Sequence, residues 1–504
     1  MASQSLTAVT VSHSSAFETW DAVRRRADPD TGRDNLLFPT VTFAVFFTVV
    51  LAGNWWLMPR RRTWKLFMLA ASYVFYGWWD ARFVGLLAAS ALINHIFAVR
   101  IWAARTPARK RLALAAVISV NLGMLGWFKY AGFLSVAAAG ITSRLGMDTT
   151  PPLLEVILPV GISFFTFQAL SYVIDVYRRD IVRPASLLEF AVYLSFFPQL
   201  VAGPIVRGTE MLPQLVEARD PGRIDAARGF HLILRGLFKK VVIATYLGTA
   251  ITDGVFAAPA AHSSLEVLLG IYAYAIQIYA DFSGYTDIAI GCAVLLGFSF
   301  PDNFDRPYAA TSLRDFWRRW HMTLSRWLRD YLYIGLGGSR GPSWFTARNV
   351  MLTMLLGGLW HGAAWTFVIW GGIHGAALVA ERAIRGRRED EPSLMPAWLK
   401  RIATFHVVCL AWVFFRADSF AGAFTVLGRL VAGWGPSPTV TPLLVAVIAG
   451  AIVAQLVPPA IGERVTVGFS RRSPAVQMMA LAAGLFVVSA LQPAGVAPFI
   501  YFRF

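Results

Sequence analysis

The stretch LLGGLWHGAAWTFVIWGGIHG at residues 355–375 decides the fold. It contains apolar residues, glycines, one threonine and two histidines, and no Asp, Glu, Lys or Arg. A helix of about 20 such residues is long enough to cross a bilayer. Its glycines allow neighbouring helices to pack closely. The stretch therefore predicts a membrane-embedded helix segment that carries ionisable side chains.

Similar apolar runs follow one another along the whole chain. Of the 504 residues, 56% are hydrophobic and 15% are charged, and the mean hydropathy is +0.54. Soluble domains average roughly 25% charged residues. The composition predicts an all-α, polytopic integral membrane bundle with roughly 11 spans and some re-entrant pieces. We expect a polar N-terminal extension at 1–35, a single membrane domain at 36–495 with its core motifs at 159–375, and a tail at 496–504.

The net charge of +17 does not indicate a nucleic-acid partner. Basic residues concentrate in short loops between apolar runs, for example Arg60, Arg61, Arg62 and Lys65. Such loops face the cytoplasm and the anionic lipid headgroups, so the predicted partner is the bilayer. The two cysteines, Cys292 and Cys409, lie in apolar stretches without metal-ligand spacing. We therefore predict neither a metal site nor a disulfide.

Two segments interrupt the lipid-facing pattern. The first, residues 271–308, places Gln277, Asp281 and Asp287 among apolar residues, and Ser283–Gly284 predicts a helix break there. Carboxylates at membrane depth are costly and usually face a partner or a cavity. We expect Asp281 and Asp287 to pair with arginines near residue 318 or with the backbone. All three polar side chains remain candidates for orienting a catalytic imidazole from the second layer.

The second segment reads TSLRDFWRRWHMTLSRWLRDYLYIGLGGSR at 311–340. On a helix, the arginines of this segment lie largely off an apolar and aromatic stripe, which consists of Trp317, Trp320, His321, Leu324, Trp327, Leu328 and Tyr331. This pattern predicts an amphipathic helix in the interface plane, with His321 on the buried side. The residues that we expect to contact a ligand or line a channel here are Trp317, Trp320, Arg318, Arg319 and Arg326.

His361 and His321 are the strongest candidates for chemistry among the eight histidines. Imidazole is the titratable side chain that is cheapest to bury, and it titrates near neutrality, which suits a general base. A buried histidine can equally be a hydrogen-bonded packing residue. His374 is interpreted as structural, several turns further along the helix that carries His361.

Seven ordered blocks between residues 36 and 380 resemble the membrane-bound O-acyltransferases, and within them the bacterial alginate O-acetyltransferase branch. The blocks are LAASYVFYGWW (69–79), NLGMLGWFKYAGF (121–133), PVGISFFTFQALSYVIDVYRR (159–179), FPQLVAGPIVR (197–207), QIYADFSGYTDIAIG (277–291), NFDRPYAATSLRDFWRRWHMTLSRWLRDYLYIGLGG (303–338) and MLLGGLWHGAAWTFVIWGGIHG (354–375). The resemblance implies a helical bundle with a central funnel and channel. It places the family's signature histidine at His361 and its second polar position at His321.

The resemblance also implies a reaction. Acetyl-CoA is the expected acyl donor from the cytoplasmic side, and no cofactor is expected to stay bound. Arg318, Arg319 and Arg326 could attract the phosphates of the donor. The implied final acceptor is an exopolysaccharide, reached through a periplasmic SGNH-type partner protein. The implied location is the bacterial inner membrane.

Two other classes of function remain open from the residues alone. Buried histidines and aspartates in interrupted helices also suit a proton-coupled transporter. An inverted repeat would favour that class, and we find none in the sequence. A non-catalytic scaffold would leave His321 and His361 without a chemical role, so their replacement by Ala would spare function.

Overall fold

The computed structural model describes residues 38, 40–146, 154, 156–217, 219–385 and 395–491. The predicted N-terminal extension and C-terminal tail lie outside these residues. Every regular element in the described part is helical: α1 (Val41–Leu57), α2 (Arg61–Trp79), α3 (Arg82–Ala103), α4 (Pro107–Arg144), α5 (Ile162–Arg178), α6 (Leu187–Ser195), α7 (Phe197–Leu200), α8 (Gly208–Val216), α9 (Ala226–Leu237), α10 (Thr245–Leu247), α11 (Asp253–Ala257), α12 (Ser264–Leu295), α13 (Leu313–Arg319), α14 (Met322–Trp327), α15 (Ser343–His361), α16 (Trp365–Arg385), α17 (Ala397–Arg416), α18 (Phe420–Arg429), α19 (Pro442–Ala454), α20 (Pro459–Ser470) and α21 (Pro474–Leu491).

Six helices of the described residues are long and apolar enough to cross a membrane. They are α3, α12, α17, α21 and the greater part of α4 and α16. The helices α1 and α19 are apolar but shorter. The all-helical membrane fold is confirmed, whereas the number of roughly 11 crossings stays a prediction.

The helix α12 runs without interruption through Ser283 and Gly284. The predicted break at this position is therefore wrong. A Cβ atom on Gly284 would lie 2.8 Å from the carbonyl oxygen of Gly236, and one on Gly291 would lie 2.6 Å from that of Gly229. These glycines allow α12 and α9 to pack at close range, which is the other common use of glycine in membrane helices.

The stretch from α9 to α11 packs antiparallel to α12. It includes two π-helical segments, Phe238–Ala244 and Gly248–Thr252. Its basic side chains pair with Asp281 and Asp287 of α12. The Nζ atom of Lys240 lies 2.5 Å from Asp281, and Asp287 binds Arg235 at 2.6 Å and Lys239 at 2.8 Å. The expected pairing with arginines near residue 318 is thus wrong. The partners come from the adjacent helix because its close packing brings them into reach.

Two arginines of that segment, Arg319 and Arg326, have other partners. Arg319 forms ion pairs with Asp315 at 2.8 Å and Asp305 at 3.4 Å, and Arg326 pairs with Glu210 at 3.0 Å. Arg318 is exposed.

His361 is the last residue of α15, and Gly362 follows in an extended conformation with φ −154° and ψ 148°. The chain then turns, and α16 packs back along α15. A Cβ on Gly371 would collide with the carbonyl oxygen of Met354, and one on Gly358 with that of Phe367. His374 therefore lies on a different helix from His361, contrary to the sequence interpretation, because the glycine turn reverses the chain between them.

The amphipathic segment is also not one helix. It breaks between α13 and α14 at His321, whose φ of 41° and ψ of 55° lie in the left-handed region. Left-handed backbone is unfavourable for a residue with a Cβ atom and needs support from its surroundings. Asn303 supplies that support, since its carbonyl oxygen accepts a hydrogen bond from the backbone N–H of Met322 at 2.9 Å. A further π-helical segment, Leu328–Tyr333, follows α14.

Candidate active site

The His361 side chain is 4% exposed and lies in an aromatic enclosure. The centroid of its imidazole ring is 5.0 Å from the rings of both Trp360 and Trp370, and 5.4 Å from that of Phe415. All three contacts are edge-to-face. The ring is thus held by the ends of α15 and α17 and by the second turn of α16.

His321 is fully buried. Its ring centroid lies 4.7 Å from that of Phe282 on α12 and 6.2 Å from that of Trp360. Its Nδ1 atom is 3.1 Å from the side-chain oxygen of Asn303. The left-handed turn described above is what directs this side chain inward between α12 and α15.

Asn303 determines which ring nitrogen of His321 carries the proton. Its Oδ1 atom also accepts hydrogen bonds from the backbone N–H of Thr323 at 3.2 Å and from the Thr323 hydroxyl at 2.9 Å. A backbone N–H can only donate, so the atom facing it is the amide oxygen. The Nδ1 atom of His321 must therefore donate to Oδ1. In the neutral ring, Nε2 then holds the lone pair, and it has no hydrogen-bond partner among the described residues.

Trp360 joins the two histidines that the sequence singled out. Its ring contacts both imidazoles, and it packs on Phe164 at 5.4 Å and Phe167 at 5.2 Å on α5. The structure therefore brings His321 and His361 into one cluster, although 40 positions separate their numbers. An imidazole pair of this kind, enclosed by apolar rings, can accept and return a proton away from bulk water.

The structure adds His374 to this cluster, a residue that sequence reasoning set aside. It is fully buried, and its ring lies 4.9 Å from Trp370 and 5.1 Å from Trp317. Neither ring nitrogen has a hydrogen-bond partner among the described residues. The sequence did contain an indication of this position, because the glycines of GGIHG on both sides of His374 bring α16 close to α15.

Several tryptophan N–H groups around the histidines are buried without an acceptor in the described part of the chain, namely those of Trp317, Trp360 and Trp370. Buried polar groups are nearly always hydrogen-bonded in folded proteins. The interior therefore offers several donors to a polar ligand or to water.

The predicted ligand-contacting residues divide into two sets. Trp317 and Trp320 belong to the interior, because Trp317 contacts His374, and Trp320 packs on Phe304 and Trp412 at 5.0 Å each. Arg319 and Arg326 are largely neutralised by carboxylates, as described above. Arg318 is the exposed cation of the three, and among the described residues no carboxylate pairs with it.

The predicted second-layer residues hold helices together. Asp281 and Asp287 bind cations of the adjacent chain, and Gln277 is buried with its amide against Gly248. A Cβ on Gly248 would lie 2.7 Å from Nε2 of Gln277. These contacts give all three side chains a role in helix packing.

The fold and the cluster define a multi-pass membrane protein with a buried histidine site. The sequence profile of the membrane-bound O-acyltransferase family matches residues 113–421. The chain belongs to this family, and it is an acyltransferase.

Its similarity extends to curated proteins with named activities. It is 41% identical to a protein named "probable alginate O-acetylase" of Azotobacter vinelandii, over 78% of each chain. It is 38% identical to the peptidoglycan O-acetyltransferase of Helicobacter pylori, over 73% of each chain. A teichoic acid D-alanyltransferase of Streptococcus thermophilus is 28% identical, over 51% of this chain and 68% of that protein.

Proposed function

We propose that this acyltransferase moves an acetyl group from acetyl-CoA on the cytoplasmic side of a bacterial inner membrane toward hydroxyls of an extracytoplasmic, alginate-like polysaccharide. The observation that carries the proposal is the buried pair His361 and His321, joined by Trp360. The choice of the acetyl group and of a polysaccharide acceptor follows the activities for which the relatives are named. A periplasmic SGNH-type protein is the proposed relay to the polymer.

In the proposed reaction, His361 accepts the proton of the acceptor hydroxyl as its oxygen attacks the thioester carbon. The carbon–sulfur bond then breaks, and the thiolate of coenzyme A takes the proton from His361. The products are an ester and free thiol, so neither a redox step nor a further reactant is needed. General bases of this kind contribute about 10²- to 10⁴-fold in rate.

His321 acts beside it. In the neutral tautomer that Asn303 fixes, Nε2 accepts a hydrogen bond and so orients the acceptor hydroxyl. It can donate to the developing oxyanion only after it has gained a proton. An oxyanion donor is worth about 3 kcal/mol, so this second role requires His321 to be protonated in the transition state.

The test of the proposed function is a reconstituted transfer assay. The full chain in liposomes receives labelled acetyl-CoA, with and without an SGNH-type acceptor protein, and thioester consumption and acceptor labelling are followed. We expect acetyl-CoA to be consumed and the acceptor to be labelled. If the protein consumes no acetyl-CoA even with an acceptor, the donor assignment is wrong. Proton flux across the same liposomes without transfer would favour the transporter alternative.

Replacing Asn303 by Leu is expected to lower kcat for acetyl transfer about 10- to 100-fold, by analogy with partners that orient a ligating histidine. The variant removes the acceptor that fixes the His321 tautomer. Asn303→Asp keeps an acceptor oxygen and serves as the matched comparison, with a smaller loss expected. Equal kcat for the Leu variant and wild type, measured per folded molecule, would contradict this role.

A further inference from the structure

Lys129, on α4, reaches the helix end that carries His361. Its ammonium donates to the backbone carbonyl oxygens of Trp360 and His361, the latter at 3.0 Å. The Ser163 hydroxyl oxygen lies 3.5 Å away as a third, longer contact. The neighbouring residue Tyr130 donates its hydroxyl to the carbonyl oxygen of Leu359 at 2.8 Å. Two consecutive side chains of α4 thus bind the last three carbonyl groups of α15.

These carbonyl groups need partners from outside their own helix. The last four carbonyls of an α-helix have no intrahelical donor and carry the negative end of the helix dipole. The backbone after His361 offers only a long hydrogen bond, from Gly362 N–H to Gly358 at 3.4 Å. A cation at a helix C-terminus is stabilising. Lys129 and Tyr130 therefore take the place of a C-terminal cap.

Lys129 differs from the basic residues that pair with α12. Lys239, Lys240 and Arg235 each bind a carboxylate on α12. Within the described ranges, no carboxylate lies within ion-pair distance of Lys129, and its oxygen partners are carbonyls and a hydroxyl. A charged group without a counter-ion at membrane depth is costly and is characteristic of functional positions.

We propose that Lys129 is a positioning residue for the acyl-transfer step. It ties the backbone of His361 to α4 and so fixes where the imidazole stands relative to the reacting groups. The proposal rests on the proposed catalytic role of His361. The ammonium has three donors, and it has three oxygen partners within the protein, so a contact with a substrate would displace one of them. A displacement of about 1 Å at a reacting group can cost about 100-fold in rate.

The test compares Lys129→Met, which removes the donors, with Lys129→Arg, which keeps them. In the liposome assay we expect the Met variant to lose about 10- to 100-fold in kcat per folded molecule, with its KM for acetyl-CoA within about twofold of wild type. The kcat of the Arg variant should be about tenfold higher than that of the Met variant, or more. Tyr130→Phe removes one hydroxyl and should lower kcat to a smaller extent, so it remains informative if the Met variant does not fold.

The matched control is Lys65→Met. Lys65 is also mostly buried, but it pairs with Glu189 on α6. Its replacement should lower thermal stability and leave kcat per folded molecule near wild type. Normal kcat in Lys129→Met, or no recovery in folded Lys129→Arg, overturns the positioning role. An inactive wild type would instead overturn the proposed function, because that result precedes any variant.

Discussion

Replacement of His361 by Ala is expected to lower kcat for acetyl transfer about 10²- to 10⁴-fold. The side chain is enclosed by three aromatic rings, and no other imidazole occupies its place at the end of α15. The measurement is thioester consumption in liposomes, normalised to folded protein. His321→Ala should show a loss of similar size.

The double variant tests whether the two histidines act in one step. Groups that act as a unit show grossly non-additive losses, so the double variant should be little worse than the worse single variant. His406→Ala is the control, because His406 is exposed and hydrogen-bonded to Tyr272. Full activity in a folded His361→Ala protein would remove the catalytic role and leave the scaffold interpretation.

Replacement of Asp287 by Asn is expected to lower the free energy of unfolding by about 3 kcal/mol. Asp287 binds both Arg235 and Lys239, and removing one partner of a buried pair leaves uncompensated charge. The figure lies at the low end for buried pairs because the Arg235 side chain is 46% exposed. The measurement is thermal unfolding in detergent.

Asp220→Asn is the matched control, since Asp220 pairs with Arg223 at a site where both side chains are mostly exposed. That variant should unfold at the wild-type temperature. Adding Lys239→Met to Asp287→Asn removes one of the two stranded cations and should restore part of the stability. Identical unfolding temperatures for the two single variants would show that the Asp287 ion pairs contribute nothing.

The fold class and the histidine pair were predictable because they depend on local composition. Long uncharged runs identify membrane helices, and a histidine inside such a run stands out from its neighbours. The same reasoning failed where one residue type has two uses. Gly284 could either break a helix or allow a neighbouring helix to pack closely. Only the position of Gly236 on α9 shows that it does the second.

The residues that support the site could not be predicted, because their roles depend on contacts between residues that are far apart in the sequence. The left-handed backbone at His321 depends on Asn303, which precedes it by 18 positions. The hydrogen bond from Lys129 to the carbonyl oxygen of His361 joins residues 232 positions apart. A lysine in an apolar helix indicates that its ammonium group needs a polar partner. The periodicity of the sequence does not identify that partner.

The ion pairs between α12 and its antiparallel neighbour also constrain how the protein is made. Each charge costs about 2.5–3.5 kcal/mol when a lone helix enters the bilayer during synthesis. Arg235, Lys239 and Lys240 would carry that cost in the first segment, and Asp281 and Asp287 in the second. The translocon would therefore release the two segments more readily together than singly. Residues 226–295 are expected to leave it as one hairpin, with the ion pairs formed before either segment meets lipid.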